Sequence, residues 1–197
     1  MRSFAIIPAA GQSTRMGRSK LLLPWSGCTV IQCVLAAWRE SGVCAVVTVV
    51  HPEDRALADC CRGAGSEVVV AKPPPREMKD SVCFGLDHLR RVHCPQEQDV
   101  WLMAPGDMPR LSSTLIQRLL SAHNPAAPAI LVAARQGRRG HPVLFPWPFA
   151  GQVAGLGAEE GINAMLARNP VRQIECEDAA VLDDMDTPDD YRRLQHP

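Results

Sequence analysis

Three stretches of this 197-residue chain combine charged and small residues in patterns that can do chemistry. The first is Pro8-Ala9-Ala10-Gly11-Gln12-Ser13-Thr14-Arg15-Met16-Gly17-Arg18-Ser19-Lys20, directly after a short apolar run. Small residues behind a buried strand let backbone N–H groups approach an anion closely. Arg15 and Lys20 add fixed positive charge suited to a polyphosphate. The spacing fits neither G-x-x-x-x-G-K-[ST] nor G-x-G-x-x-G. The second stretch is Trp101-Leu102-Met103-Ala104-Pro105-Gly106-Asp107-Met108-Pro109, with a carboxylate just past an apolar strand, where open α/β sheets bind ligands. The third, Val181 to Tyr191, places Asp186 before a capping Thr187, where a strand gives way to a helix. Oxygen donors there suit Mg²⁺, which needs only one or two protein carboxylates beside substrate phosphates. Taken alone, Asp107 also reads as a turn residue, and Asp189 and Asp190 as helix-capping acids.

An alternation of short β-branched runs and longer helical periods must position these stretches. Strands are expected over Phe4 to Pro8, Ala45 to Val50, Glu67 to Ala71, Val100 to Ala104 and Ala129 to Ala134. Helices are expected over Val30 to Ser41 with Thr29 as N-cap, and over Glu53 to Arg62, Asp80 to Val92 and Ser113 to Ala122. Thr187-Pro188-Asp189-Asp190 starts a last short helix. The alternation implies one α/β domain over 1–197, a mostly parallel sheet flanked by helices. Pro146 through Gly157 reads either as surface loop or as a rim over the site.

Composition narrows the function. The 21 basic and 21 acidic residues balance, which argues against duplex nucleic acid as the main partner. No apolar run is long enough to span a bilayer, and the N-terminal residues lack a secretory pattern, so a cytoplasmic enzyme with no membrane partner is expected. The eight cysteines show no C-x-x-C pair and read as reduced, structural thiols.

Together the three stretches make the sequence similar to the MobA-like NTP transferases, and within them to the molybdenum cofactor cytidylyltransferase branch. The resemblance covers nearly the whole chain. Its signature is Ala9-Ala10-Gly11-x-Ser13-x-Arg15-Met16-Gly17-x-x-Lys20-Leu21-Leu22-Leu23-Pro24. Further matches are Met78-x-x-Ser81-x-x-x-Gly85-Leu86, Gly106-Asp107-Met108-Pro109, Gly140-His141-Pro142-Val143-Leu144-Phe145 and Asp186-Thr187-Pro188-x-Asp190-Tyr191. The resemblance implies a nucleotide-diphospho-sugar-transferase-like fold, a Rossmann-like mixed sheet flanked by helices. It implies that Ala9, Ala10, Gly11, Ser13, Arg15, Lys20, Ser81, Gly106 and Asp107 contact the nucleotide. Mg²⁺ falls to Asp107 and Asp186, and the catalytic roles to Arg15, Lys20 and Asp107.

Ala10-Gly11 and Ser19-Lys20 match the CTP-using side of the family. The implied reaction joins CMP to the phosphate of a molybdopterin-type cofactor and releases pyrophosphate, with transient contact to a molybdoenzyme or its chaperone. An acceptor phosphate is already anionic near pH 7, so the chemistry needs alignment and charge neutralisation rather than a Ser, Cys or His nucleophile. His141 before Pro142 reads as structural more than as a base. Two stretches depart from the cytidylyl pattern. Gly157-Ala158-Glu159-Glu160-Gly161-Ile162-Asn163-Ala164 lacks the Asp and Arg of Gly-Asp-x-Gly-Ala-Arg, and Glu77 replaces a common glycine. These keep open a nucleotidyltransferase for a sugar or alcohol phosphate. A non-catalytic nucleotide- or cofactor-binding protein is the third reading.

Overall fold

The computed structural model describes residues 1–11 and 19–195. β1 (Ser3–Ala9) lies in the interior of the sheet, where both of its faces are covered. Alternate side chains part accordingly. Ala5, Ile7 and Ala9 join one buried cluster, while Phe4 and Ile6 join the other. β4 (Ala45–Val50) and β6 (Val100–Met103) flank β1 in parallel, and β5 (Glu67–Val70) extends the sheet beyond β4. β8 (Arg138–Pro146) runs antiparallel between β6 and β7 (Ile130–Arg135), and β9 (Val171–Glu175) closes the far edge parallel to β7. Among the described residues the order is β5-β4-β1-β6-β8-β7-β9, with a separate two-residue hairpin of β2 (Pro24–Trp25) and β3 (Cys28–Thr29).

One face carries α1 (Val30–Glu40), α2 (Arg55–Gly63), α4 (Ser113–Ala122) and α6 (Pro188–Gln195). The other carries α3 (Met78–His93), a 3-10 turn over Trp147–Gly155 and α5 (Ala164–Arg168). The helix starts follow the local sequence. Thr29 and Gln32 form a capping box on α1, and Asp54 and Ser112 accept from the third backbone N–H beyond them. At α6, Thr187 Oγ1 accepts from the Asp190 backbone N–H, while Asp190 Oδ2 accepts from that of Thr187. α3 comes close to β1 because Gly85 has no side chain: a Cβ there would sit 2.7 Å from Ile6 Cγ2. That approach sets the N-terminus of α3 beside the C-terminal end of β1.

Two expectations are corrected. Pro146 to Gly157 is neither free surface loop nor rim: its 3-10 turn buries Ala150 and Val153 in the cluster that holds the stacked Trp101 and Phe145 rings, 4.1 Å apart. Cys28 and Cys33 are joined as a disulfide, because β3 leads straight into the first turns of α1 and brings both residues together. The other six remain thiols, and burial pushes that of Cys61 up to about 12, as expected for a small hydrophobe.

Candidate active site

The chain leaves β1 at Ala9, passes Ala10 and Gly11, and re-enters the described residues at Ser19, before a 3-10 turn over Lys20–Leu22. Beside this turn lies a cavity of about 240 Å³. One wall is Pro8, Ala9, Ala10, Gly11, Lys20 and Leu21; a second is Pro75 to Met78 with Ser81; the third is Pro105, Gly106 and Asp107. Three elements thus converge at the carboxyl ends of β1 and β6, the edge where open α/β sheets receive ligands. Ser13 and Arg15 lie outside the described residues.

Lys20 is the centre of charge. Its Nζ lies 2.5 Å from Asp107 Oδ2 and 2.9 Å from Asp186 Oδ1, and it donates to the Met185 carbonyl at 2.9 Å. Burial alone would lower its pKa, but Asp107 and Asp186 outweigh burial and raise it above the ordinary lysine value. Asp107 is 9% exposed, and its Oδ1 is buried without a hydrogen-bond partner among the described residues. Burial raises its carboxyl above the usual range, Lys20 pulls it back in part, and Asp186 adds to the rise.

The sequence placed Asp186 where a strand gives way to a helix. It lies instead beyond a 3-10 turn over Ala179–Leu182. The segment reaches the site because the Met185 N–H donates to the Asp107 carbonyl at 3.1 Å, and because Asp183 is buried against Arg110 at 3.1 Å. Backbone closeness helps: a Cβ on Gly140 of β8 would sit 2.0 Å from the Val181 carbonyl oxygen. His141 does not line the cavity. Its Nδ1 is buried without a partner among the described residues, and burial lowers its pKa, with Asp184 and a hydrogen bond to the Met103 backbone opposing that only in part.

The donor set fits a divalent cation. Two carboxylates already converge on one cation, and the buried Asp107 Oδ1 is unpaired among the described residues. Among the described residues no three His, Cys, Asp or Glu side chains gather as a closed cage. A site of two carboxylates completed by substrate phosphates is how Mg²⁺ is commonly held.

Sequence reasoning missed the second wall in part. Ser81 was expected, and Glu77 stood out only as a replacement for a common glycine, whereas Arg76 gave no signal, since nothing in its type marks a ligand. The turn before α3 puts them there.

The fold is that of the nucleotide-diphospho-sugar transferases. The chain belongs to the MobA-like NTP transferase family, whose domain model matches residues 5–174. It is 25% identical over 188 residues to the molybdenum cofactor cytidylyltransferase of Escherichia coli, covering 94% of this chain and 92% of that protein. It is 30% identical over 201 residues to the nicotine blue oxidoreductase of Paenarthrobacter nicotinovorans, covering 96% and 94%. The crystal structure of Rv0371c from Mycobacterium tuberculosis superposes with a TM-score of 0.83 at 28% identity over the whole of both chains. A second structure of that protein is a complex with manganese, with a TM-score of 0.76 and coverage of 99% and 98%. No helix among the described residues is long and apolar enough to cross a membrane.

Proposed function

We propose that this protein transfers CMP from CTP to the phosphate of a molybdopterin-type cofactor, with Mg²⁺, releasing pyrophosphate. One observation carries the reading: the Lys20 ammonium is held between Asp107 and Asp186 beside a cavity lined by Ala9, Ala10 and Gly11. Pure binding would not call for two carboxylates and a lysine on one spot. The name of the Escherichia coli relative supports both nucleotide and acceptor, and the manganese complex of the mycobacterial neighbour supports a divalent cation.

In this reading an oxygen of the acceptor phosphate forms a bond to the α-phosphorus of CTP. The bond from that phosphorus to the bridging oxygen breaks, and its electron pair leaves with pyrophosphate. Backbone N–H groups from Ala9 to Gly11, with Ser13 and Arg15, hold the phosphates. Lys20 moves from the carboxylates to the charge that develops on the phosphoryl oxygens. Asp107 and Asp186 would hold the divalent cation, which supplies neutralisation of phosphate charge. Ser81 and Gly106 flank the nucleoside. The methyl group of Ala10 narrows the cavity, which favours a pyrimidine over a purine.

A second reading follows from the 30% identical oxidoreductase relative. One experiment separates the possibilities: pyrophosphate release with each of four NTPs and Mg²⁺, offered molybdopterin or common sugar and alcohol phosphates, alongside oxidation or reduction of nicotine blue. Release with CTP and molybdopterin is expected. A higher kcat/KM for GTP would overturn the cytidylyl assignment, and transfer only to another phosphate would overturn the acceptor. Turnover of nicotine blue without pyrophosphate release would overturn transfer altogether.

A further inference from the structure

One cation outside the Lys20 cluster is placed against the helix that carries it. Lys79 is the second residue of α3, near the positive end of the helix dipole, where a lysine is disfavoured. Its side chain is nonetheless only 11% exposed and turns away from its own helix. Nζ donates to the backbone carbonyls of Gly157 at 2.6 Å, Ala158 at 2.6 Å and Glu160 at 2.9 Å, and lies 3.1 Å from Glu77 Oε2. An ammonium has three N–H donors, and here three carbonyls meet them while a carboxylate balances the charge. Three neutral carbonyl oxygens and one carboxylate around a single point form an oxygen cage of the kind that holds a small free cation, not a surface ion pair.

The two sides of the cage are unrelated in sequence. The 157–160 turn is closed by the Gly157 N–H donating to Glu160 Oε2 at 2.7 Å. Glu77, on the other side, lines the cavity together with Met78 and Ser81. The geometry points to Lys79 as a positioning residue for the nucleotide: its tethered ammonium fills the cage, clasps the 157–160 turn to the first turn of α3, and so fixes the Glu77–Ser81 wall. This rests on reading the cavity as the NTP site.

The test uses the full chain with two readouts, calorimetric binding of CTP with Mg²⁺ and hydrogen exchange of the amides at 157–161. Lys79→Ala is expected to weaken CTP binding by about tenfold or more, as removal of charge-assisted hydrogen bonds does. The 157–161 amides should exchange faster, while those of β1 and β4 keep their protection. Ammonium chloride should restore both readouts; tetramethylammonium chloride at equal ionic strength, too large for the cage, should restore neither. Lys79→Met, which fills the space without a charge, should show the loss without the rescue. Unchanged exchange in Lys79→Ala, or equal rescue by both salts, overturns the proposal. If the wild-type chain does not bind CTP, the reading of the cavity fails, and exchange with ammonium rescue still decides the cage. If β1 and β4 also lose protection, Lys79→Gln, which keeps an N–H donor, is judged by the same criteria.

Discussion

Replacing Lys20 by methionine keeps the side-chain length and removes the charge, so the effects can be worked from its contacts. In the wild-type protein Asp107 Oδ2 meets the ammonium at 2.5 Å while Oδ1 has no partner among the described residues. The variant therefore leaves a buried carboxylate with neither oxygen satisfied by a cation. Breaking a buried pair in this way costs about 3–5 kcal/mol when the remaining group stays charged. Asp107 can avoid part of that cost by taking up a proton, since burial already raises its pKa. A carboxyl whose folded pKa lies above its unfolded value binds more protons in the native state, so stability falls as pH rises through the interval between the two. Thermal unfolding of Lys20→Met should thus lie near wild type at the acid side of the carboxylate range and drop below it toward neutral pH. Catalytically, loss of one preorganised charge on the developing oxyanion corresponds to about 10²–10³ in kcat, ~2.7–4 kcal/mol at ~1.36 kcal/mol per decade. The assay is pyrophosphate release at saturating CTP and Mg²⁺. A kcat within about threefold of wild type would refute the role given to Lys20.

Asp107→Asn and Asp186→Asn should each lower turnover by on the order of 10²-fold or more with Mg²⁺ while circular dichroism stays native; normal turnover in both would remove the metal assignment. Asp99 supplies a stability prediction away from the site. Burial would raise its carboxyl, but the backbone N–H groups of Gln96 and Arg2 and the Arg2 guanidinium, at 2.6–3.1 Å, outweigh it and hold the pKa below the ordinary value. Its stabilisation is therefore present above the unfolded carboxylate pKa and is lost as pH falls through the lower folded value. Asp99→Asn should cost ~2 kcal/mol near neutrality, with little of that from the Arg2 ion pair because Arg2 is 42% exposed. Urea denaturation at several pH values would show the deficit closing in acid; a deficit independent of pH would contradict the account.

The sequence showed best what local chemistry decides. Thr29 and Thr187 mark helix starts through hydroxyls that act within three residues, and both helices start where expected. Ala45–Val50 and Ser113–Ala122 match their expected bounds because burial follows their apolar period. β9 escaped notice because it is an edge strand, with Arg172, Gln173 and Glu175 exposed, and so lacks a buried run. The disulfide escaped because its Cys28–Cys33 spacing has no motif, only the abrupt passage from β3 to α1. Lys20, Asp107 and Asp186 were legible as residues, but their meeting was not. It depends on a backbone hydrogen bond from Met185 to Asp107 and on the missing side chain of Gly140. Lys79 was not singled out, since its place early in a helix, although disfavoured by the dipole, names no partner, and the carbonyls it meets lie 78 to 81 residues away.

Lys20 and Asp186 stand 166 residues apart in the chain, and Tyr191 reaches back to the Pro24 carbonyl at 2.6 Å across 167. Contacts of such long separation form late, because the intervening loop must first be closed by other structure. During synthesis β1 and Lys20 emerge long before Asp186. The emerging chain therefore holds Lys20 against Asp107 at most, until the segment around Asp186 has been made and the Met185 N–H can donate to the Asp107 carbonyl. The charge cluster is in this sense a clasp between distant parts of the chain, completed by docking rather than built up strand by strand along the sheet.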